Sequence, residues 1–299
     1  MKFIDQLLCT RKGIRPITLL AVGCGWSLTV GATTFSSGLS EVEWKVSASV
    51  FECSLSHPVT AFGSAAFARR AGEAEFFSLK QQQTLLRPGQ IQLQALLPSW
   101  HGESKSIPLG TATIDDGKKA VRLDAERALQ VQRHLEEGRR VLFSRSAEIP
   151  GQNPVRVILQ PLYFSERLDE YRACLARLLP VNFKQIERTA IYFPETSETL
   201  SAAELRKLEL IVRYAKADTS VRRIIIDAHT DSDGVRPENL EISKSRAEFI
   251  ASYLVERALP ADALTTRWHG ERYPVASNKT PAGRAQNRRV TLRLERDKS

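Results

Sequence analysis

The stretch Ile224-Ile225-Ile226-Asp227-Ala228-His229-Thr230-Asp231 is a run of β-branched residues that stops on polar side chains, and Ser232-Asp233-Gly234 follows it as a turn. Such a run reads as a buried strand that delivers its last side chains to one end of a sheet. The next segment, Glu241 to Arg257, spaces Ala247, Ile250, Tyr253 and Leu254 three and four apart. That is the period of an amphipathic helix, reached here after a loop of roughly ten residues. Arg246 then falls in the second turn of the helix. Helical side chains lean back toward the helix start, so Arg246 is expected to face Asp231. A guanidinium and a carboxylate at one concave edge suit a zwitterion, since the first grips a carboxylate bidentately and the second accepts from an ammonium. A structural salt bridge between the two explains the pattern equally well.

The spaced residues carry more than this pair. His229-Thr230-Asp231, Asn239, Ser243 and Arg246-Ala247 are followed by Gly270-Glu271, Pro274, Asn278, Thr280, Gly283-Arg284-Ala285 and Asn287-Arg288-Arg289-Val290. Together they resemble the motif series of the OmpA-like peptidoglycan-binding domain, over roughly residues 185 to 296. The resemblance implies that Asp231 holds the amine and Arg246 the carboxylate of meso-diaminopimelate in the wall peptide. Thr230 and Asn239 belong to the same motif, and Phe193 and Ile242 are expected to shape the pocket walls. Ala228 stands where Gly is commoner and Ile242 where Leu is usual, and neither change removes a charged contact.

A chain of 299 residues accommodates two domains of ordinary size. Its start has basic Arg11, Lys12 and Arg15, an apolar run from Ile17 to Val30, and Val30-Gly31-Ala32 as a small-residue cleavage site. Residues 1–32 are therefore expected to be a secretory signal peptide. Pro16 and the glycines at 23, 25 and 31 leave too short an unbroken run to span a bilayer comfortably. Ala21-Val22-Gly23-Cys24 is a loose lipobox, which keeps a lipidated alternative open. Cleavage after Ala32 removes Cys9 and Cys24 and leaves Cys53 and Cys174, an even pair that reads as one disulfide in an exported protein. Two buried free thiols are the alternative. The same cleavage removes four basic residues and one acid, so the net charge of +9 falls to +6, spread over both halves. Arg284, Arg288, Arg289, Arg293 and Arg296 alternate with Val290, Leu292 and Leu294 and are expected to form the solvated face of a strand. Nucleic acid is not an expected partner of an exported chain.

From Glu41 the chain alternates, with Val42, Trp44, Val46, Ala48 and Val50 on one side, and the apolar phase then shifts to Phe51, Cys53 and Leu55. A half-buried strand with a bulge near Val50 is expected. Further strand candidates are Glu75 to Lys80, Ile91 to Leu97, Lys119 to Leu123, Val141 to Phe143 and Val155 to Leu159, separated by Gly, Pro and Ser turns. Helices are expected at Asp124 to Glu137 and Glu166 to Leu179, the second carrying Cys174. Residues 33–180 thus form a β-rich domain, an antiparallel barrel or sandwich with helices. Trp44, Glu52-Cys53, Leu55, His57-Pro58, Phe62-Gly63, Ala65 and Phe67 resemble the N-terminal region of the MotY family of periplasmic flagellar-motor proteins. That resemblance implies a periplasmic location near the outer membrane. It also implies attachment to the flagellar basal body, membership of a ring, and a role in assembling or holding stator units.

Pro180 is expected to end the helix, with a junction from Val181 to Glu187. Residues 181–299 then read as strand Thr189 to Phe193, helix Ser201 to Lys216, strand Arg222 to His229, helix Glu241 to Arg257, and strands Leu264 to His269 and Arg289 to Glu295. Ser201-Ala202-Ala203-Glu204 is a capping box. This βαβαββ order predicts one mixed sheet with both helices on one face, and an α+β class for the whole chain. Enzymatic readings are thin. His229, Asp231, Ser232 and Ser243 lack a nucleophile elbow, and Asp231-Ser232-Asp233-Gly234 lacks the remaining ligands of a calcium loop. His229 and His269 are expected to meet at neighbouring strand ends as satisfied histidines rather than as a metal site. The chain is thus expected to be a non-enzymatic wall anchor of a flagellar motor that needs no cofactor. The alternative is a general envelope tether of the OmpA or Pal type, lipidated at Cys24.

Overall fold

The computed structural model describes residues 32–97, 106–114, 119–146, 154–195 and 199–297. The expected signal peptide lies outside these residues but for its last position. Alternating burial builds the first half: in β3 (Glu52–Val59) Cys53, Leu55, His57 and Val59 are buried while their neighbours face outward. This strand belongs to one continuous sheet that also contains β1 (Thr33–Ser36), β2 (Lys45–Ala48), β4 (Gly63–Arg70), β5 (Phe76–Gln81) and β6 (Gly89–Leu96). β7 (Ser106–Ile114), β8 (Lys119–Leu123), β9 (Arg140–Arg145) and β10 (Val155–Leu159) complete it. The strand order is β1-β10-β9-β6-β7-β8-β5-β4-β3-β2. Neighbours are antiparallel except β1 and β10, which run parallel.

The expected barrel or sandwich is thus a single curled sheet whose ends meet, among the described residues, through side chains rather than through strand pairing. Phe35 of β1 packs on Phe62 with ring centroids 5.5 Å apart. Trp44 Nε1, ahead of β2, donates to Gln160 O, just past β10, at 3.1 Å. α1 (Ala125–Glu136), capped by Asp124, and α2 (Phe164–Leu175) cover the sheet. Phe164 wedges its ring against Trp44 and Phe67 at 4.8 and 5.9 Å.

Two local expectations are corrected. The long strand from Glu41 is a short one: Leu39–Glu41 form a 3-10 turn, and only Lys45–Ala48 pair. The phase shift at Val50 is a hairpin turn, not a bulge, because Ala48 pairs with Cys53 and the Ser49 hydroxyl accepts from Phe51 N and Glu52 N. A turn and a bulge shift the apolar phase alike, so periodicity could not separate them.

Cys53 of β3 and Cys174 of α2 are joined in a disulfide spanning 121 positions. It lies under the hairpin turn that contacts the second half. Val50 O accepts from Leu179 N at 2.9 Å, and Phe51 O accepts from Ala71 N at 2.8 Å. The Phe51 ring meets Tyr214 edge-on at 5.7 Å. α2 stops at Leu175 rather than Leu179, and the expected junction contains α3 (Phe183–Ile186), opened by a reciprocal Asn182 and Gln185 cap. Gln185 Nε2 also donates to Gly72 O at 3.1 Å. Ala71 and Leu179 are consequently buried in the same cluster as Ile186, Ile191 and Leu208.

The second half contains β11 (Arg188–Tyr192), α4 (Ala202–Ala217), β12 (Val221–Ala228), α5 (Arg236–Glu256), β13 (Leu264–Trp268), α6 (Pro281–Asn287) and β14 (Arg289–Arg296). The sheet order is β11-β14-β12-β13, with β12 and β13 parallel and the other pairs antiparallel. Leu208, Ile211 and Val212 of α4 and Ala247, Ile250 and Leu254 of α5 share one core with Ile224, Ile226 and Ala228. One face of the sheet therefore carries both helices, as the βαβαββ order predicts. Ser201 caps α4, but Glu204 accepts from Tyr192 N at 3.2 Å instead of closing the capping box. α5 begins at Arg236, with Pro237 in its first turn, so Arg246 sits about three turns in and not in the second. α6, between β13 and β14, was not expected.

In the loop-entropy account, a cross-link of this span stabilises by about 5 kcal/mol. Cys174→Ser is expected to lose most of that and to loosen the hairpin turn at Val50. Urea denaturation with and without reductant checks it, and coincident curves for variant and wild type would disprove it.

Candidate functional site

The residues that follow β12 are buried although polar. His229, Thr230 and Asp231 are each under 7% exposed. Backbone bonds hold them there: His229 N donates to Arg289 O at 2.8 Å and Thr230 N to Gly270 O at 3.0 Å. Asp231 Oδ1 accepts from Asp233 N at 3.2 Å, closing the turn on itself. Its second oxygen accepts from Arg288 Nη1 at 2.7 Å, a pair with both side chains about nine-tenths buried. Arg288 Nε also donates to Phe193 O at 3.4 Å.

Arg246, expected opposite Asp231, is 5% exposed and lies with its guanidinium carbon 5.0 Å from the centre of the Phe193 ring. That is cation–π distance, and it holds a planar charge against an apolar wall. Phe193, Arg246, Asp231 and Arg288 are thus linked around one corner of the sheet. Arg288 is the residue that sequence reasoning missed. Strand alternation expects it, with Arg289, on a solvated face, yet both are under 10% exposed. The Asn287-Arg288-Arg289 motif was the available signal. Arg293 follows the expectation in part, pairing with Glu295 at 3.4 Å.

The other expected residues border that corner: Thr230 directly precedes Asp231, and Asn239 and Ile242 lie one to two turns before Arg246 on α5. Asn239, 2% exposed, donates through Nδ2 to Glu271 Oε2 at 2.7 Å and so ties α5 to the turn after β13. Ser243 Oγ reinforces the tie by accepting from Gly270 N at 3.0 Å. Ile242 is 40% exposed on α5. Thr230 Oγ1 is buried with no hydrogen-bond partner among the described residues. A groove of about 580 Å³ opens beside Phe193 and Arg288, bounded also by Tyr192, Leu200 and Glu204.

A second layer shapes the corner. Asn287 Oδ1 accepts from Val275 N and Ala276 N at 2.8 and 3.1 Å, and its Nδ2 donates to Ala276 O and Asn278 Oδ1. One buried amide therefore holds the loop ahead of α6. Gly283 is required there, since a Cβ would lie 2.0 Å from Ser277 O. His229 and His269 stack at 4.8 Å, as expected of neighbouring strand ends, with Tyr273 edge-on to both. His269 Nε2 is 2.9 Å from Asp227 Oδ1. Burial, then the positive charges of Arg289 and His269, pull His229 down to about 4, against an opposing pull from Asp227. Its imidazole is neutral at pH 7.

The corner thus offers a carboxylate whose charge is shared with one guanidinium, a second guanidinium over an aromatic ring, and an adjoining groove. That combination suits a ligand that carries opposite charges a short distance apart. Residues 35–180 match the family described as the MotY N-terminal domain, and residues 192–288 match the OmpA family. The chain joins a MotY N-terminal domain to an OmpA-family domain. It is 28% identical over 250 residues to the sodium-type flagellar protein MotY of Vibrio parahaemolyticus, spanning 82% of this chain and 84% of that one. The peptidoglycan-associated lipoprotein of Pseudomonas putida is 32% identical over 105 residues, 35% of this chain and 62% of that protein. A crystal structure of the peptidoglycan-associated lipoprotein from Burkholderia pseudomallei covers 36% of this chain and 89% of its own, at 27% identity and a TM-score of 0.34. In the OmpA-family domain here, the Asp231–Arg288 pair and Asn287 both depend on the Asn287-Arg288-Arg289 run at the start of β14.

Arg288→Ala strips the partner from a buried carboxylate and is expected to cost about 3 kcal/mol or more in unfolding free energy. Adding Asp231→Ala to that variant should recover part of the loss, and a purely additive double mutant would refute the coupling. A second outcome concerns pH. The native His229 resists protonation while the unfolded one takes a proton near 6.5, so its contribution is full above about 6.5 and fades as pH falls toward 4. His229→Gln should flatten that decline in denaturation midpoints between pH 7 and pH 4.5.

Proposed function

We propose that this chain is a non-enzymatic periplasmic component of a flagellar motor that grips peptidoglycan through its OmpA-family domain. The observation that carries the reading is the tandem match, a MotY N-terminal domain followed directly by an OmpA-family domain. Residues 1–32 serve as the export signal, 33–180 associate with the motor, and 181–299 bind the wall. In the wall site, Asp231 accepts the ammonium of meso-diaminopimelate and Arg246 takes its carboxylate. Phe193 backs Arg246, Ile242 lines the rim, and Thr230 offers its hydroxyl. Asn239 acts by holding the neighbouring turn. Arg288 holds the Asp231 carboxylate in place, and an incoming ammonium shares that contact. The motor domain attaches to the basal body within a ring and holds or assembles stator units. A general envelope tether would leave the match over residues 35–180 without a purpose, which favours the motor reading.

The test is sedimentation of the mature chain, residues 33–299, with insoluble peptidoglycan. Asp231→Asn keeps a hydrogen-bonding partner for Arg288, and Arg246→Ala keeps the helix, so both should fold. Each removes one charge-assisted contact and is expected to weaken binding at least about tenfold. Wild-type levels of pelleting by both variants would remove the assignment of these residues.

A further inference from the structure

On the other flank of α5 from Phe193 lies a cavity of about 520 Å³ between the first turns of the helix and the turn that follows β13. Trp268, the last residue of β13, stands in it with its side chain 40% exposed. β13 is the outer strand of its sheet, and Trp268 pairs with Ala228, whose side belongs to the core under α5. The indole therefore rises from the sheet beside the helix, with no strand beyond it among the described residues. Leu240, 45% exposed, faces the same space, and Arg236, Glu271 and Arg272 rim it. Gly270, at φ +55°, also lines it, and a Cβ there would meet Leu240 N at ordinary contact distance, 3.4 Å.

We propose that this cavity is a subsite for the glycan strand of the wall polymer, taking one N-acetylated sugar ring against Trp268. The inference rests on the peptidoglycan reading above and extends it from the peptide to the sugar. A pyranose presents a face of C–H groups and an edge of hydroxyls. It suits a partly exposed indole, which is apolar on its face, backed by an aliphatic side chain and rimmed by donors and an acceptor. Arg236 and Arg272 supply donors and Glu271 an acceptor, matching an edge of hydroxyls and one acetamide. A protein partner needs on the order of 1,200 Å² of shared surface, whereas this hollow is sized for one or two rings.

The two subsites share a wall. Glu271 accepts from Asn239, Gly270 O accepts from Thr230 N, and Ser243 accepts from Gly270 N, so the turn that rims the cavity is bonded to the β12–α5 corner. In peptidoglycan the stem peptide branches from the sugar strand. A ligand held by its diaminopimelate at Asp231 and Arg246 therefore carries sugars within a short peptide's reach of Trp268.

Calorimetry separates the two halves of the ligand. The probes are a diaminopimelate-containing stem tripeptide and the same tripeptide on its disaccharide, titrated into the mature chain and its Trp268→Ala and Trp268→Phe variants. The wild type is expected to bind the disaccharide-tripeptide about tenfold more tightly than the tripeptide. Trp268→Ala should lose that advantage while binding the tripeptide as the wild type does, which also shows that it folds, and Trp268→Phe should keep most of it. Equal wild-type affinity for the two probes overturns the sugar subsite and leaves the peptide site standing. So does a Trp268→Ala variant that weakens both probes alike or neither. Wild-type protein that binds neither probe overturns the peptidoglycan reading and the subsite with it.

Discussion

The buried end of β12 is the constraint on which the second domain depends. A carboxylate cannot sit at 6% exposure without a partner, and Arg288 supplies one at 2.7 Å. Placing Arg288 there requires β14 to enter the sheet beside β12 in one register. Asn287, one residue earlier, then reaches the loop ahead of α6. The pair therefore ties the first polar residues after one strand to the first residues of another. Such an arrangement is costly to fold around and useful at a site, because the charge is oriented before any ligand arrives.

A second constraint joins the halves of the molecule. The hairpin turn Ser49–Phe51 is held from below by the disulfide and from above by Leu179 and Tyr214. Residues of the first half, Phe51 and Ala71, pack with the core of the second. The two domains meet through apolar side chains and the Gln185–Gly72 hydrogen bond, so a pull applied to one is passed to the other. For a protein proposed to hold motor parts against the wall, such a seam suits the load.

Much of this was legible in the chain because it follows from period and punctuation. The Ile224–Ala228 strand, the stripe of α4, the βαβαββ order and the link between Cys53 and Cys174 all rest on local spacing or on a count of two cysteines. Less legible were features that depend on what lies opposite. The hairpin at Ser49 imitates a bulge, since both shift the apolar phase by one residue. The start of α5 is hidden in the sequence because Arg236-Pro237-Glu238 is polar, and Val235 provides no capping side chain to mark it. Along the chain Arg288 reads as a solvated strand residue, and only its pairing with Asp231, 57 positions away, buries it.

The sequence by itself determined most of the strands and helices, the apolar face of the main ones, and that Asp231 and Arg246 belong to the end of β12. Those properties are written in neighbours along the chain. Only the tertiary structure decided how the charges are shared: Asp231 with Arg288, Arg246 over Phe193, and Asn239 with Glu271. It also decided that Trp268 is left partly open beside α5. The physical reason is that pairing at a buried corner depends on distances of a few ångströms between residues tens of positions apart. Periodicity specifies direction but not distance.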